Sequence, residues 1–301
     1  MTLIVIGGAT ATGKSSLALD VAERIGAEIV NADSMQLYRG MDIGTAKLPT
    51  EQRRGITHHL LDVLDVTEDA SVAGYQQEAR GIIDALLKKG TPVVVVGGTG
   101  LYIKALIDEL NFPDRNPKVR ARLLEESERV GSKVMHQRLQ QLDPESAALI
   151  PEQNVRRVIR ALEVIELTGE PYAASLPRND QSYYPQAQQF AIAVEREELN
   201  ARIDRRVEQM WSSGFVCEVE NLLSRGVRDG KTARAAIGYA QILAALDGQI
   251  SMESAKEETI LSTRQYARRQ GTWFRRDPRI TWLSGARDQL LESVLSSSGN
   301  S

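Results

Sequence analysis

Leu3-Ile4-Val5-Ile6-Gly7-Gly8-Ala9-Thr10-Ala11-Thr12-Gly13-Lys14-Ser15 is the stretch that decides the fold. An aliphatic run that ends in glycine reads as a short buried strand. Gly8 to Ser15 then fit G-x-x-x-x-G-K-[ST] at every fixed position. Glycines let backbone N–H groups wrap phosphate oxygens, and the helix that follows adds its positive N-terminus. Lys14 supplies charge for the terminal phosphate, and the Ser15 hydroxyl can bind Mg²⁺. Leu17, Leu19, Val21, Ala22 and Ile25 give the apolar face of a helix from Lys14 to Ile25, which Gly26 ends. The motif therefore lies between a strand and a helix, as the chemistry requires. It specifies a polyphosphate, not a nucleotide.

Outward from this loop, strand and helix alternate. Glu28 to Asn31 is a second strand, His59 to Val63 a candidate third, and Val72 to Lys89 a helix closed by Gly90. Pro92 to Val96 is the clearest strand, and it runs into Gly97-Gly98-Thr99-Gly100 before another helix opens at Leu101. This order predicts an α/β fold, a P-loop NTPase-like parallel sheet flanked by helices. Phe112-Pro113-Asp114-Arg115-Asn116-Pro117 breaks the pattern, and Lys118 to Thr168 has a helical period. Gly169 to Gln188 reads as loop, Gln189 to Val194 and Ile280 to Leu283 as strands, and Ser296 to Ser301 as a disordered polar tail. The expected organisation is a core of residues 1–113 and 187–301, interrupted by a helical insertion at 114–186.

The 301 residues carry a net charge of −3, with 42% hydrophobic and 26% charged residues, as in ordinary globular chains. No apolar run spans a bilayer, and the N-terminus lacks a basic signal segment, so a cytoplasmic protein with no membrane partner is expected. One cysteine, Cys217, excludes an internal disulfide and a Cys-rich metal site. His58-His59 lacks the spacing of a helical metal site and reads as structural. The basic residues cluster at Arg156, Arg157 and Arg160, and again from Arg264 to Arg276, which on composition alone suits a solvated helix face.

A kinase or NTPase would hold Mg²⁺ with an Asp at the end of a second strand. Here Pro92 to Val96 ends in Gly97-Gly98-Thr99, with no acid. Ligands of an open α/β sheet lie beyond the carboxyl ends of its strands, which places Asp33 and Thr99 beside the phosphate loop. By position alone Asp33 suits a helix N-cap, a Mg²⁺ ligand or a general base equally.

Taken together, several blocks resemble those of the tRNA dimethylallyltransferase (tRNA isopentenyltransferase) family in its bacterial form. They are the phosphate loop, Asn31-Ala32-Asp33-Ser34-Met35-Gln36-Leu37-Tyr38, Gly40-Met41-Asp42-Ile43-Gly44-Thr45-Ala46-Lys47, His58-His59-Leu60-Leu61-Asp62 and Gly97-Gly98-Thr99-Gly100-Leu101-Tyr102. Arg156 to Val164, Ile237-Gly238-Tyr239 and Arg268 to Arg275 complete the set, which runs from Leu3 to Leu283. The resemblance implies dimethylallyl diphosphate as donor, Mg²⁺ as cofactor, and as acceptor the exocyclic amine of the adenosine at tRNA position 37. It implies Asp33 as general base, with Lys14 and Ser15 acting on the leaving diphosphate. It further implies that Asp33, Ser34, Met35, Gln36 and Thr99 touch the reacting base or its neighbour. Arg120, Arg156, Arg157, Val158, Ile159 and Arg160 would then hold the anticodon stem-loop. The Arg264 to Arg276 cluster carries no assignment, and nothing in the sequence demands more than a monomer.

Two departures stand out. Ala9 replaces the family's usual Pro. Ahead of Ile237 the family often has Gln or Arg directly before the Ala, whereas here Ala235 stands there and Arg234 lies one residue earlier. The resemblance assigns Arg234 to the donor diphosphate from that shifted position. The rival reading is a P-loop small-molecule or nucleotide kinase with the insertion as its lid.

Overall fold

A computed structural model describes residues 2–110, 112–113, 116–172 and 182–298. The chain packs as two compact units, one of Met1–Ile107 with Tyr184–Ser301, the other of Asp108–Tyr183. The sheet unit runs β1 (Leu3–Gly7), α1 (Lys14–Ile25), β2 (Glu28–Asn31), β3 (His58–His59), α2 (Val72–Lys88), β4 (Val93–Val96) and α3 (Gly100–Ile107). The helical unit contributes α4 (Pro117–Val130), α5 (Ser132–Leu142), α6 (Pro144–Leu149) and α7 (Val155–Thr168). The chain then returns through β5 (Gln188–Ile192), α8 (Arg196–Ser212), α9 (Phe215–Leu223), α10 (Tyr239–Leu246), α11 (Met252–Phe274), β6 (Ile280–Leu283) and α12 (Arg287–Ser298).

The six strands are all parallel, in the order β3-β2-β4-β1-β5-β6. Side chains alternate across each strand, so β1 feeds both faces. Leu3 and Val5 join Val93 and Val95 under Ile83 of α2 and Leu106 of α3. Ile4 and Ile6 join Val94 on the other face, under Leu17 and Val21 of α1 and Val294 of α12. Burial on both faces explains why these strands read as continuous aliphatic runs. A third cluster, around Phe215, Leu222, Tyr239 and Ile242, packs α9 and α10 against the segment of Tyr38 and Met41.

Three expectations shift. The third strand stops at His59, because Leu60 and Asp62 take left-handed φ values of 60° and 59°, which turn the chain out of the sheet. The polar end is helical through Ser298, since Leu290 and Val294 anchor α12 in the core; residues 299–301 lie outside the described ones. The helical unit begins at Asp108, and Tyr184 belongs to the sheet unit, its hydroxyl donating to Asp84 Oδ1 at 2.7 Å. Part of the expected loop, residues 173–181, lies outside the described residues. No helix among the described residues is long and apolar enough to cross a membrane.

Candidate active site

The phosphate loop leaves β1, turns at Gly8 (φ 130°) and enters α1 through Gly13 (φ 96°), a conformation that favours glycine. Thr12 Oγ1 donates to the Ala9 carbonyl at 2.9 Å, and Lys14 Nζ donates to the same oxygen at 3.2 Å. Ala9, at the place of the family's Pro, is buried against Ile203, Val207 and Ala267. The loop borders a cavity of about 180 Å³ whose lining includes Thr10, Ala11, Gly13, Lys14, Ser15, Asp33, Gln36 and Arg206. Burial pushes the Lys14 amine down to about 8; Asp33 opposes this, and Arg206 adds to it.

Asp33 is set by its neighbours. The buried Asn31 side chain accepts the Asp33 amide at 3.0 Å and donates to the carbonyls of Asp33 and Leu60, both at 2.9 Å. Asp33 Oδ1 accepts the Met35 amide at 3.0 Å. No helix begins here, so of the three open readings the N-cap is removed. Asp33 also lines a second chamber of about 360 Å³, together with Ser34, Met35, Met210, Phe215, Ile237, Tyr266 and Arg269. Thr10, Asp33, Thr45 and Arg206 border both spaces.

Beyond β4 the glycines are packing requirements. A Cβ on Gly97 would lie 2.2 Å from the Ala32 carbonyl, and one on Gly100 would lie 2.2 Å from the Trp273 ring. This close approach brings Thr99 to Ser34, whose amide it accepts at 3.1 Å. Tyr266 on α11 hydrogen-bonds with the side chains of Thr99 and Gln270; burial and the nearby Asp33 push its phenol up to about 12, so it stays neutral.

Sequence reading missed Arg206, Tyr266 and Glu218, and gave no role to Gln270, which lies within the Arg268 to Arg275 block. Arg202 and Arg206 recur one turn apart on α8, the signal that was available: Arg202 Nη1 reaches the Thr12 carbonyl at 3.5 Å. Burial lowers the Arg206 pKa and Asp33 opposes it. Glu218 accepts the amides of Asp42, Ile43 and Gly44 at 3.0, 2.6 and 3.2 Å and the Tyr239 hydroxyl at 2.5 Å, which fixes the glycine-rich loop. Within that loop Lys47 Nζ bonds Asp42 and Asp62 at 2.7 and 2.6 Å. Gln36 Nε2 donates to the Thr45 carbonyl at 3.0 Å.

Arg234 is a correction. The 3₁₀ turn Ala233–Ala235 buries Ala233 and exposes Arg234, whose Nη1 donates to the Arg228 carbonyl at 3.0 Å. It borders neither space, whereas Arg206 borders both. Val158 and Ile159 are a second correction: both are buried in the core of the helical unit with Leu123, Leu139 and Leu162, so their side chains cannot reach a ligand. Arg120 and Arg160 pair with the fully buried Glu163 at 3.7 and 3.0 Å. Only Arg156 and Arg157 of that group are exposed. In the later cluster Arg264 pairs with Asp204.

Ser15 is exposed at the start of α1, beside the cavity. Among the described residues no group of three or more His, Cys, Asp or Glu could hold a metal ion. A lone hydroxyl fits Mg²⁺ that takes its remaining ligands from phosphate oxygens and water.

The family model for IPP transferase matches residues 36–277. A tRNA dimethylallyltransferase of Streptomyces avermitilis is 53% identical over 290 residues, covering 96% of this chain and 92% of its own length. One from Thermobifida fusca is 54% identical over 287 residues, covering 94% and 89%. Among solved structures, the tRNA isopentenylpyrophosphate transferase of Bacillus halodurans superposes with a TM-score of 0.73 at 38% identity, covering 99% of this chain and 96% of its own. A eukaryotic dimethylallyltransferase acting on tRNA gives 0.84 at 26%, covering 99% and 78%. With the matched model spanning well over half its length, the chain belongs to the IPP transferase family of tRNA dimethylallyltransferases.

Proposed function

We propose that this protein transfers the dimethylallyl group of dimethylallyl diphosphate to the exocyclic amine of adenosine 37 of tRNA and releases diphosphate. The observation that carries the reading is Asp33, a carboxylate on the border of both the phosphate cavity and a larger chamber. In the reaction the amine nitrogen forms a bond to the first carbon of the prenyl group. The carbon–oxygen bond to diphosphate breaks, and the amine proton passes to the Asp33 carboxylate.

An aromatic exocyclic amine is a weak nucleophile, and a base placed to take its proton helps by roughly 10²–10⁴-fold. Lys14, Arg206 and the loop amides meet the charge that develops on the departing diphosphate. Mg²⁺, held through Ser15, would supply further charge neutralisation there. The adenine must leave its stack to reach this depth, and the chamber bordered by Ser34, Met35, Tyr266 and Arg269 gives it polar edges and a ring face. In the helical unit, phosphate contacts of the anticodon stem-loop fall to Arg156 and Arg157. The protein would act as a single chain on tRNA in the cytoplasm.

A kinase reading is disfavoured by Gly97. An acid there would need a Cβ 2.2 Å from the Ala32 backbone, so the strand end cannot carry the usual Mg²⁺-holding Asp. The test is incubation of purified protein with radiolabelled dimethylallyl diphosphate, Mg²⁺ and unmodified tRNA bearing adenosines at positions 36 and 37. Label in tRNA supports the reading. ATP consumption with a small acceptor and no label in tRNA would replace it with the kinase.

A further inference from the structure

Gln270 is buried near the C-terminal end of α11 and uses both ends of its amide on backbone. Its Oε1 accepts the Thr10 amide at 2.9 Å, and its Nε2 donates to the Gly98 carbonyl at 2.8 Å. Thr10 belongs to the phosphate loop. Gly98 is the residue before Thr99, which accepts the Ser34 amide next to Asp33. One side chain thus joins the strip of backbone that faces the donor to the strip that carries the base-side groups. The bond also takes up the Thr10 N–H, which leaves the phosphate to the amides nearer α1.

The geometry points to Gln270 as a positioning residue that fixes the donor loop relative to the turn bearing Thr99, so that prenyl carbon and amine meet at bonding distance. This rests on the transferase reading above. Gln270 touches neither substrate; it acts through Thr10 and Gly98. Gly98 reports on the same contact, because a Cβ there would stand 2.3 Å from Gln270 Nε2. Gly98 therefore stays glycine to let the amide in.

Gln270→Met keeps a buried, neutral side chain of similar length and removes the hydrogen bonds to Thr10 and Gly98, along with the one to Tyr266. Lys14, Ser15 and Arg206 remain, so diphosphate should bind within about threefold of wild type, since uniform binding is untouched. The single-turnover transfer rate should fall about 10-fold to 10²-fold, the scale of a small misplacement of reacting groups. Gly98→Ala pushes the Gln270 amide away and should give a loss of similar size. In the double variant the two losses should not add, because each single variant already breaks the same Gln270–Gly98 hydrogen bond.

The experiment measures inorganic diphosphate affinity by calorimetry, single-turnover transfer to tRNA and the unfolding midpoint for wild type, both single variants and the double. Transfer by wild type is established first; its absence refutes the transferase reading and leaves Gln270 without the role. With wild type active, a slower transfer step, preserved diphosphate affinity and non-additive losses support the inference. A transfer rate that stays at the wild-type level while only the midpoint falls overturns it. Equal loss of diphosphate affinity and rate also overturns it, as would losses that multiply in the double variant.

Discussion

The Thr99 hydroxyl accepts the Ser34 amide at 3.1 Å and donates to Ser34 Oγ at 3.3 Å. The pair stitches the turn after β4 to the segment after β2, directly beside Asp33. Thr99→Val keeps the shape and removes both bonds, along with the one to Tyr266, leaving the Ser34 N–H unpaired; the cost is about 1–3 kcal/mol in local order. Transfer should fall by about tenfold or more, while Thr99→Ser retains most of the activity. Steady-state transfer assays on the two variants separate the hydroxyl from the methyl.

Asp33→Asn preserves the acceptor for the Met35 amide and removes the base. The transfer step should drop by roughly 10²–10⁴-fold. Diphosphate affinity should not weaken, because the substitution removes a negative charge from the cavity that receives the anion. Calorimetry with diphosphate and rapid-quench transfer check the two halves separately. A variant that binds diphosphate poorly and transfers at the normal rate would assign Asp33 to the metal or the donor instead.

The phosphate loop was readable because strand, loop and helix are contiguous, so eight residues report on one another. Arg206 was not, because α8 carries it to the cavity from far along the chain, and only the fold makes it a neighbour of Lys14. Arg156 to Arg160 misled for a different reason. A contiguous block was treated as one surface, but α7 turns each successive residue to a new side. Arg156 and Arg157 therefore face out while Val158 and Ile159 face in. Arg234 lies on a 3₁₀ turn, where one residue shifts a side chain by about a third of a turn, and its guanidinium ends on the Arg228 carbonyl instead of on either space.

Gly97→Ala tests the close approach of β4 to the segment after β2. The new methyl would have to push the Ala32 carbonyl away, and overpacking of backbone on backbone costs about 1–3 kcal/mol or more. The unfolding midpoint should fall and transfer should be lost, since Ala32 immediately precedes Asp33. Gly81→Ala in α2, where nothing lies within 4 Å of the added Cβ and the backbone is helical, is the control and should not lower the midpoint.

The arginines of the helical unit should divide by role. Arg156→Ala with Arg157→Ala should raise the KM for tRNA and reduce its salt dependence, by about 0.7 in the log–log slope per lost phosphate contact. The unfolding midpoint should hardly move. Glu163→Gln should do the opposite. It strips the shared partner of Arg120 and Arg160 from a fully buried position, and breaking such a pair costs about 3–5 kcal/mol. Salt titrations of tRNA binding and thermal melts on both variants test the division.

Lys14 gives the site a pH dependence whose sign can be worked out. Burial pushes its amine down to about 8, so in the free protein it is charged below that pH and neutral above. Diphosphate at the loop favours the charged form and raises the pKa. Donor binding should therefore take up a proton above about pH 8, and affinity should fall as pH rises through that value, by up to about tenfold per unit. The free protein should gain stability over the same interval, because the unfolded amine still holds its proton up to about 10.4. Lys14→Arg carries a charge that does not titrate here and should flatten the binding profile. Calorimetry of diphosphate binding in two buffers of different ionisation enthalpy counts the protons directly. Wild type should take up almost none at pH about 7 and close to one at pH about 9. The same uptake at the higher pH in Lys14→Arg would assign the proton to another group.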